Sequence, residues 1–502
     1  MRSSTGILIM LLLLLQTERV IGQNTLQSRW LERSSAQHLL LDEGGAIGWL
    51  RFPLPYASSL TSVLVEADVS HAKKPIFVHQ GAGHSFFNLK GNSYLKVNKG
   101  LAIWGHTQYS TGKNRAVAWR STADMDRLYP YFVADSVGGP LSKESYSFGG
   151  GVEKWLNHWF VAAELRYDAA QEYRTRDPRP RNITSDFIAR LTVGQPVGAY
   201  LSALTLGYNQ YKQQHSVTFY NERGGIQQWL MNGLGESFRR FDTNKPSLYY
   251  RAGAYELGAT LSPLTHNQGW FVKGGYKRST LTRILSGNNE TPTNAYTQDA
   301  LQVLVAYLWE GKGVAATLLN SKRIGKDFVV GPHSAGTYPI LEALPQFIYR
   351  HQTARLTAIW SHTGKLQTSL LPSVAMENLL IRGLAPSRQI QTTMLEAQMQ
   401  AQLTWRANQW NYLLASELGY TFPSRKNLAL PRALLPEYRI NYLEGEYAAL
   451  VAPRICLSIS PVVFCPLPGN TQGIQVKLRY AMEHYKGVAT RHQTQLSLAL
   501  YY

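Results

Sequence analysis

The 502 residues include 12 Trp, 29 Tyr and 16 Phe, yet the mean hydropathy is slightly negative, so the apolar content is aromatic and dispersed rather than gathered in blocks. No stretch is long and apolar enough for a spanning helix, which excludes a helical membrane protein and leaves a secreted soluble chain or a membrane β-barrel. A net charge of +19 suits anionic headgroups or anionic solutes, or equally an unspecific solvated surface; nucleic acid is not an expected partner, since the chain reads as exported and carries no recognition motif.

At the start, Arg2 precedes an apolar run from Ile7 to Leu15, and Val20, Ile21 and Gly22 offer a cleavage site before Gln23. The run is far shorter than the roughly 20 residues a spanning helix needs, so residues 1–22 are expected to be a secretory signal peptide. No cysteine follows the run, which argues against a lipoprotein. Residues 23–99 are less regular. Leu26 to Leu41 suits a short helix, and "SLTSVLVEADVS" and "SYLKVNKG" suit strands. This stretch reads as a plug, a periplasmic cap or the first barrel hairpin, in that order.

From about residue 100 segments of ten to fifteen residues alternate in polarity. In "MLEAQMQAQLTWR", Leu395, Ala397, Met399, Ala401, Leu403 and Trp405 form one face, and Glu396, Gln398, Gln400, Gln402, Thr404 and Arg406 the other. This period of two is that of a strand with lipid on one side and a polar lumen on the other. Leu414 and Val476 fall on the apolar side of their own segments. Short turns at 406–409, 362–365, 310–313 and 263–268 take turns with longer connections at 422–438, 380–388, 326–346, 284–295, 213–248 and 174–183. Short periplasmic turns and longer outer loops are the asymmetry of outer-membrane barrels. Two connections break the rule: the last outer loop, near Lys486 and Gly487, is short, and the periplasmic connection at 459–470 is long. The fold class is therefore all-β, a transmembrane antiparallel β-barrel over residues 100–502. Sixteen strands are counted from Leu101 to Tyr502, within a range of 14–18. The last of them, "QTQLSLALYY", places Leu496, Leu498, Leu500 and Tyr502 on its lipid face, and Leu498, Leu500 and Tyr502 read as a signal for the barrel-assembly machinery.

Residues 93–190 carry further strings. Gly105, Tyr109 and Gly112 are followed by "YPYFVAD" from Tyr129 to Asp135, then by "DPRPRN" from Asp177 to Asn182. This pattern resembles an uncharacterised outer-membrane β-barrel family of Gram-negative anaerobes. The resemblance implies a barrel, often linked to TonB-dependent receptors, and no established activity. A TonB-dependent receptor or surface lipoprotein is then an expected partner, beside outer-membrane lipid and lipopolysaccharide.

Several residues are candidates for chemistry. Cys456 and Cys465, close together in an exported chain, are expected to form a disulfide. Deduced inward positions carry both signs: Glu164, Arg166, Asp168, Glu256, Lys273, Lys277, Arg355, Glu396, Arg406, Glu417, Lys477, Arg479 and Glu483. Mixed charge can pair across the interior, so the lumen is expected to be narrow or occluded, closed by the N-terminal segment, the 213–248 loop, or both. "RTRDPRPRN" gathers Arg174, Arg176, Arg179 and Arg181, either an anion contact or a structural loop with Asp177 paired to a neighbouring Arg. His84-Ser85 and His333-Ser334 are His–Ser neighbours, but adjacent strand residues point to opposite faces, so no catalytic role is assigned. The histidines show no metal-ligand spacing, and no cofactor is expected. The functional expectation is a transport-related outer-membrane barrel, a channel or an accessory to TonB-dependent uptake. The alternatives are a non-conducting structural, binding or assembly barrel and, last, an outer-membrane enzyme.

Overall fold

The computed structural model describes residues 25–502 except 36–39, 42–49, 51, 53–55, 222–224, 242, 244, 265–267, 335–337 and 470. The expected signal peptide lies outside the described residues.

Eighteen strands form one antiparallel sheet that closes on itself. Each barrel strand pairs with the next, and the last, Ala489–Tyr501, pairs with the first, Leu60–Ala72, with Val65 opposite Leu498 and Ala67 opposite Leu496. Closure leaves no sheet edge, which removes the row of unpaired backbone groups that lipid will not tolerate. The barrel strands are 13 to 23 residues long, more than the 9–11 or so that cross a bilayer.

Sixteen of these strands lie from Leu101 onward. The other two, Leu60–Ala72 and Gly83–Asn98, come from the stretch read first as a plug, so the barrel begins at Leu60 and not at residue 100. Their period is masked because Phe86 on the inner side adjoins Phe87 on the outer side.

The outer face is apolar. Leu165, Leu204, Leu206, Leu318, Val374, Leu418, Leu496 and Leu498 are all more than half exposed. A surface of that extent and composition is not one that water covers stably, and it suits lipid. Tryptophans ring the rim at the short turns: Trp159, Trp270, Trp309, Trp360, Trp405 and Trp410 all stand exposed there. Such a belt is the aromatic girdle of a membrane interface.

Two expectations about the chain's last third are corrected. Residues 437–450, placed between an outer loop and a strand, form a helix, Glu437–Leu450. Ile440 and Leu443, three apart, bury together with Leu435 from just before the helix, and Pro436 sits just ahead of the first turn, where its missing N–H costs nothing. The disulfide is also overturned. Cys456 and Cys465 are free and lie on one continuous strand, Arg454–Pro466, the first facing inward and the second outward. Nine strand residues span about 30 Å, and a disulfide needs Cα atoms within about 7 Å. The connection after this strand is a short turn, 467–472, so the long periplasmic exception disappears.

Candidate functional site: a stoppered lumen with a charged cavity

Between the strand Leu101–Val117 and the strand Gly139–Leu156 the chain turns inward. Residues 118–138 double back, with Trp119 N–H donating to the Asp135 carbonyl and Ser121 N–H to that of Val133, both at 2.8 Å. A one-turn helix, Met125–Leu128, caps the tip. Tyr131, Phe132, Val133 and Ala134 are wholly or almost wholly buried, packed against wall residues Tyr211, Leu248, Tyr250, Leu281 and Tyr296, whose side chains point into the lumen. The short strand Val133–Ala134 pairs with Trp229–Gly233 from the 219–246 connection, which turns back through Glu236–Ser237. Gly138, at φ +67°, lets the segment leave the lumen, and a Cβ there would stand 2.4 Å from the Val117 carbonyl oxygen.

Buried arginines of the wall and loops hold this inserted body. Arg174 Nη1 lies 3.1 Å from Asp135 Oδ2, and both side chains are fully buried. Asp135 also accepts from Ser121 Oγ and Gly138 N–H, each at 2.7 Å. Asn182 donates to the Ser121 carbonyl at 2.8 Å. The segments 129–135 and 177–182, recognised separately in the sequence, are thus brought together. Arg283, also fully buried, donates to the Met231 carbonyl at 2.9 Å and to Asn232 Oδ1 at 3.0 Å. Arg323 reaches the carbonyls of Asp126 and Tyr129, and Arg439 of the helix Glu437–Leu450 reaches that of Gly235. Each guanidinium offers several donors in a fixed fork, which matches a strand-like segment whose short ladder leaves other carbonyls to be met by side chains.

The turn end is closed separately. The helix Leu26–Arg33 buries Leu26 and Trp30 against Leu413, Val462 and Phe464. Trp30 stacks on Phe464 with ring centroids 4.9 Å apart and donates from Nε1 to Gln475 at 2.8 Å. Leu40, Leu50 and Phe52 pack beside Phe271, Leu304 and Ile359.

Between the inserted segment and the wall lies a cavity of about 670 Å³. It reaches from Arg166 and Asp168 near mid-wall to His79 and Gln80 of the connection 73–82, at the loop end. Its charges are of both signs. Arg127 Nη2 lies 2.7 Å from Asp186, Arg166 Nε 2.9 Å from Asp168, and Arg120 Nη2 3.2 Å from Glu172. A second cavity of about 260 Å³ lies toward the turn end, lined by Gln400, Glu417, Lys477 and Arg479.

The other deduced inward charges also sit on the lumen face. Arg190 bridges Glu164 at 3.2 Å and Glu256 at 2.8 Å, and Lys277 meets Glu256 at 2.8 Å. Arg355 pairs with Glu396 at 2.9 Å, and Glu483 lies 3.6 Å from Arg491. Lys273 Nζ stands 4.3 Å over the Phe52 ring. Arg406 is exposed at the turn rim. The arginine loop divides. Arg174 is sealed inside, Arg179 pairs with Asp177 at 2.8 Å, and Arg176 and Arg181 are exposed. Asp177 accepts the backbone N–H groups of Tyr220 and Asn221, which, with Arg179 beside it, hold its carboxyl below the usual range. The local arrangement is that of a structural loop.

His84 does meet a serine, though not Ser85. Its Nδ1 is 3.0 Å from Ser70 Oγ, and its Nε2 is 3.3 Å from Asp68. Ser70 is only 2% exposed and already accepts the His84 N–H at 3.1 Å. A nucleophile needs an approach path, so this trio is read as a tie between the first two strands. Among the described residues no group of three or more His, Cys, Asp and Glu is placed to hold a metal ion.

A model of a family of unknown function, DUF6850, matches residues 52–502. The chain belongs to that family. No curated protein matches it. Among solved structures it is similar to the ferric citrate transporter FecA in unliganded form, at 9% identity over 90% of this chain and 79% of that one, with a TM-score of 0.39. The alcaligin receptor FauA from Bordetella pertussis matches at 9% over 90% and 77%, TM-score 0.41, and the copper transporter OprC at 8% over 89% and 81%, TM-score 0.42. The fold rests on the hydrogen-bonded strand order, not on these likenesses.

Sequence reasoning missed the inserted segment and most of its clamps. Arg283 and Arg323 sit at inward positions of alternating strands, so their direction was readable there. What they hold was not.

Proposed function

We propose that the chain is an outer-membrane barrel that takes part in solute transport, with its short turns in the periplasm, its long connections outside, and passage closed by its own inserted segments. The observation that carries this reading is the position of the 670 Å³ cavity, which reaches the loop-end connection while the helix Leu26–Arg33 fills the turn end. A site open toward one side and stoppered on the other is what stepwise passage requires. A barrel with a merely structural role has no need of a charged recess. Passage would need a trigger that moves a stopper, and a larger receptor or surface lipoprotein is the partner class this reading calls for.

Conductance of the purified full chain in a planar bilayer tests it. The expected result is no large steady current. A variant in which residues 119–137 are replaced by a short Gly-Ser bridge and residues 26–52 are also removed, so that both stoppers are gone, should conduct steadily. A large stable conductance from the unaltered chain would refute the closed lumen, and a folded bridge variant without current would refute the channel path.

A further inference from the structure

Most charges around the 670 Å³ cavity are satisfied by one another. Arg120, Arg127 and Arg166 have carboxylate partners at 3.2, 2.7 and 2.9 Å, and Asp124 accepts from the Tyr211 hydroxyl at 2.8 Å. Two lining residues stand apart. Lys143 projects from the wall strand Gly139–Leu156, at an inward position. Asp126 lies on the inserted helix Met125–Leu128 and is exposed; Arg323 binds its carbonyl, not its carboxylate. Neither makes an ion pair among the described residues. One cavity thus presents an ammonium on the wall and a carboxylate on the inserted segment.

We propose that this cavity binds a small zwitterion, a short peptide with free ends, whose carboxylate meets Lys143 and whose ammonium meets Asp126. The inference deepens the transport reading and rests on it for the meaning of binding, though not for binding itself. Single-sign solutes fit less well. A polyanion would have to lie against Asp126 and Asp168, and a polycation against Lys143 and Arg127; like-charge contacts of that kind reject a ligand as firmly as a clash. At about 670 Å³ the space falls inside the roughly 300–1,000 Å³ of small-molecule sites, with room for a few peptide units. The pairs already formed would act as a fixed polar lining, since Arg166 and Asp168 keep 43% and 28% of their side-chain surface open and offer both donors and acceptors.

The test is calorimetric titration of the full chain in lipid nanodiscs with trialanine, its N-acetyl form, its C-terminal amide and maltotriose. Trialanine should bind, and either cap should weaken it by about tenfold or more. Lys143→Gln should abolish the discrimination between trialanine and its amide while keeping that against the N-acetyl form. Asp126→Asn should do the reverse. Heat-modifiable gel mobility shows that each variant is folded. Equal affinity for capped and free peptide, tighter binding of maltotriose, absence of trialanine binding, or variants that lose both discriminations together would each overturn the proposal. Proteoliposome flux separates the two readings. In liposomes carrying the variant without either stopper, which needs no trigger, absence of flux while the unaltered chain binds trialanine sinks the transport reading and leaves the site, whereas flux there with binding by the unaltered chain that ignores the caps sinks the site and leaves transport.

Discussion

At the loop end the lumen is stopped by residues 118–138 and 225–241, which hang on Arg174, Arg283, Arg323 and Arg439 through buried hydrogen bonds. At the turn end the helix Leu26–Arg33 rests on Leu413, Val462 and Phe464, with Gln475, Asn411 and Gln402 supplying polar contacts from the wall. The first stopper is an irregular, strand-like segment in which carbonyls such as those of Met231, Asp126 and Gly235 are met by arginine side chains, so it needs fixed donors. The second is a helix, which satisfies its own backbone and needs only an apolar seat. The consequence is mechanical. Buried, directional contacts define one position and are lost together. An apolar seat is lost by degrees and regained without exact alignment. The turn-end stopper is therefore the cheaper of the two to move.

The largest expected effect comes from breaking the loop-end clamp. Arg174→Met leaves the Asp135 carboxylate buried with only neutral donors from Ser121 and Gly138. Removing one partner of a buried pair costs about 3–5 kcal/mol. The barrel has its own closed ladder, so the loss should appear as protease sensitivity at residues 118–138, with the barrel still folded. Arg174→Met combined with Asp135→Asn removes both charges and should cost less than the single change. A single variant whose segment stays as protected as the parent's would mean that this pair does not hold the stopper.

Next comes the apolar seat. Trp30 is almost fully buried on Phe464, and Trp30→Ala should cost about 3 kcal/mol. The effect should stay at the turn end. Limited proteolysis should cut at 26–33 sooner, while trialanine affinity and the protection of 118–138 stay unchanged. If Trp30→Ala also frees 118–138, the two stoppers move as one and the contrast drawn between them fails.

That contrast also explains what was legible in the sequence. Period-two alternation reports burial on one side only, and it located the strands from Leu101 onward because each has lipid on one face and a wet, charged lumen on the other. Lys143 lies on such a strand and is an inward residue by parity alone. A segment inside the lumen is buried all round, so it has no period. Tyr131, Phe132, Val133 and Ala134 are consecutive and all buried, and nothing in "YPYFVAD" separates a core strand from a plug. Asp126 is invisible for the same reason, since its placement depends on where that segment inserts. The cysteine pair failed differently. Nine residues is a short loop but a long strand, and the spacing alone does not say which. The helix Glu437–Leu450 was missed because its apolar residues face several neighbours instead of one stripe.

The smallest expected effect lies outside both stoppers and sets a baseline for them. Asp177, in the connection 174–178, is held below the usual carboxylate range first by the N–H groups of Tyr220 and Asn221 and then by Arg179. A carboxyl with a lowered folded value adds stability above its unfolded value, about 3.9 for Asp, and loses it as the pH falls through the folded one. Asp177 therefore pins the start of the 219–246 connection at neutral pH and releases it only in acid, below the ordinary Asp range. The group sits half-buried at the surface, where solvent screens it, so the consequence is local. Amide exchange at Tyr220 and Asn221, measured against pH and referenced to a free peptide, should show protection at pH 7 that fades in acid. In Asp177→Asn the protection should be weaker and flat across that range. Because Trp229–Gly233 lies in the same connection but is held by Arg283 and Val133–Ala134, its protection should not follow that of Tyr220. If acid or Asp177→Asn loosens 229–233 as well, the loop-end stopper is held from outside by its connection, and the buried arginines are not what fixes it.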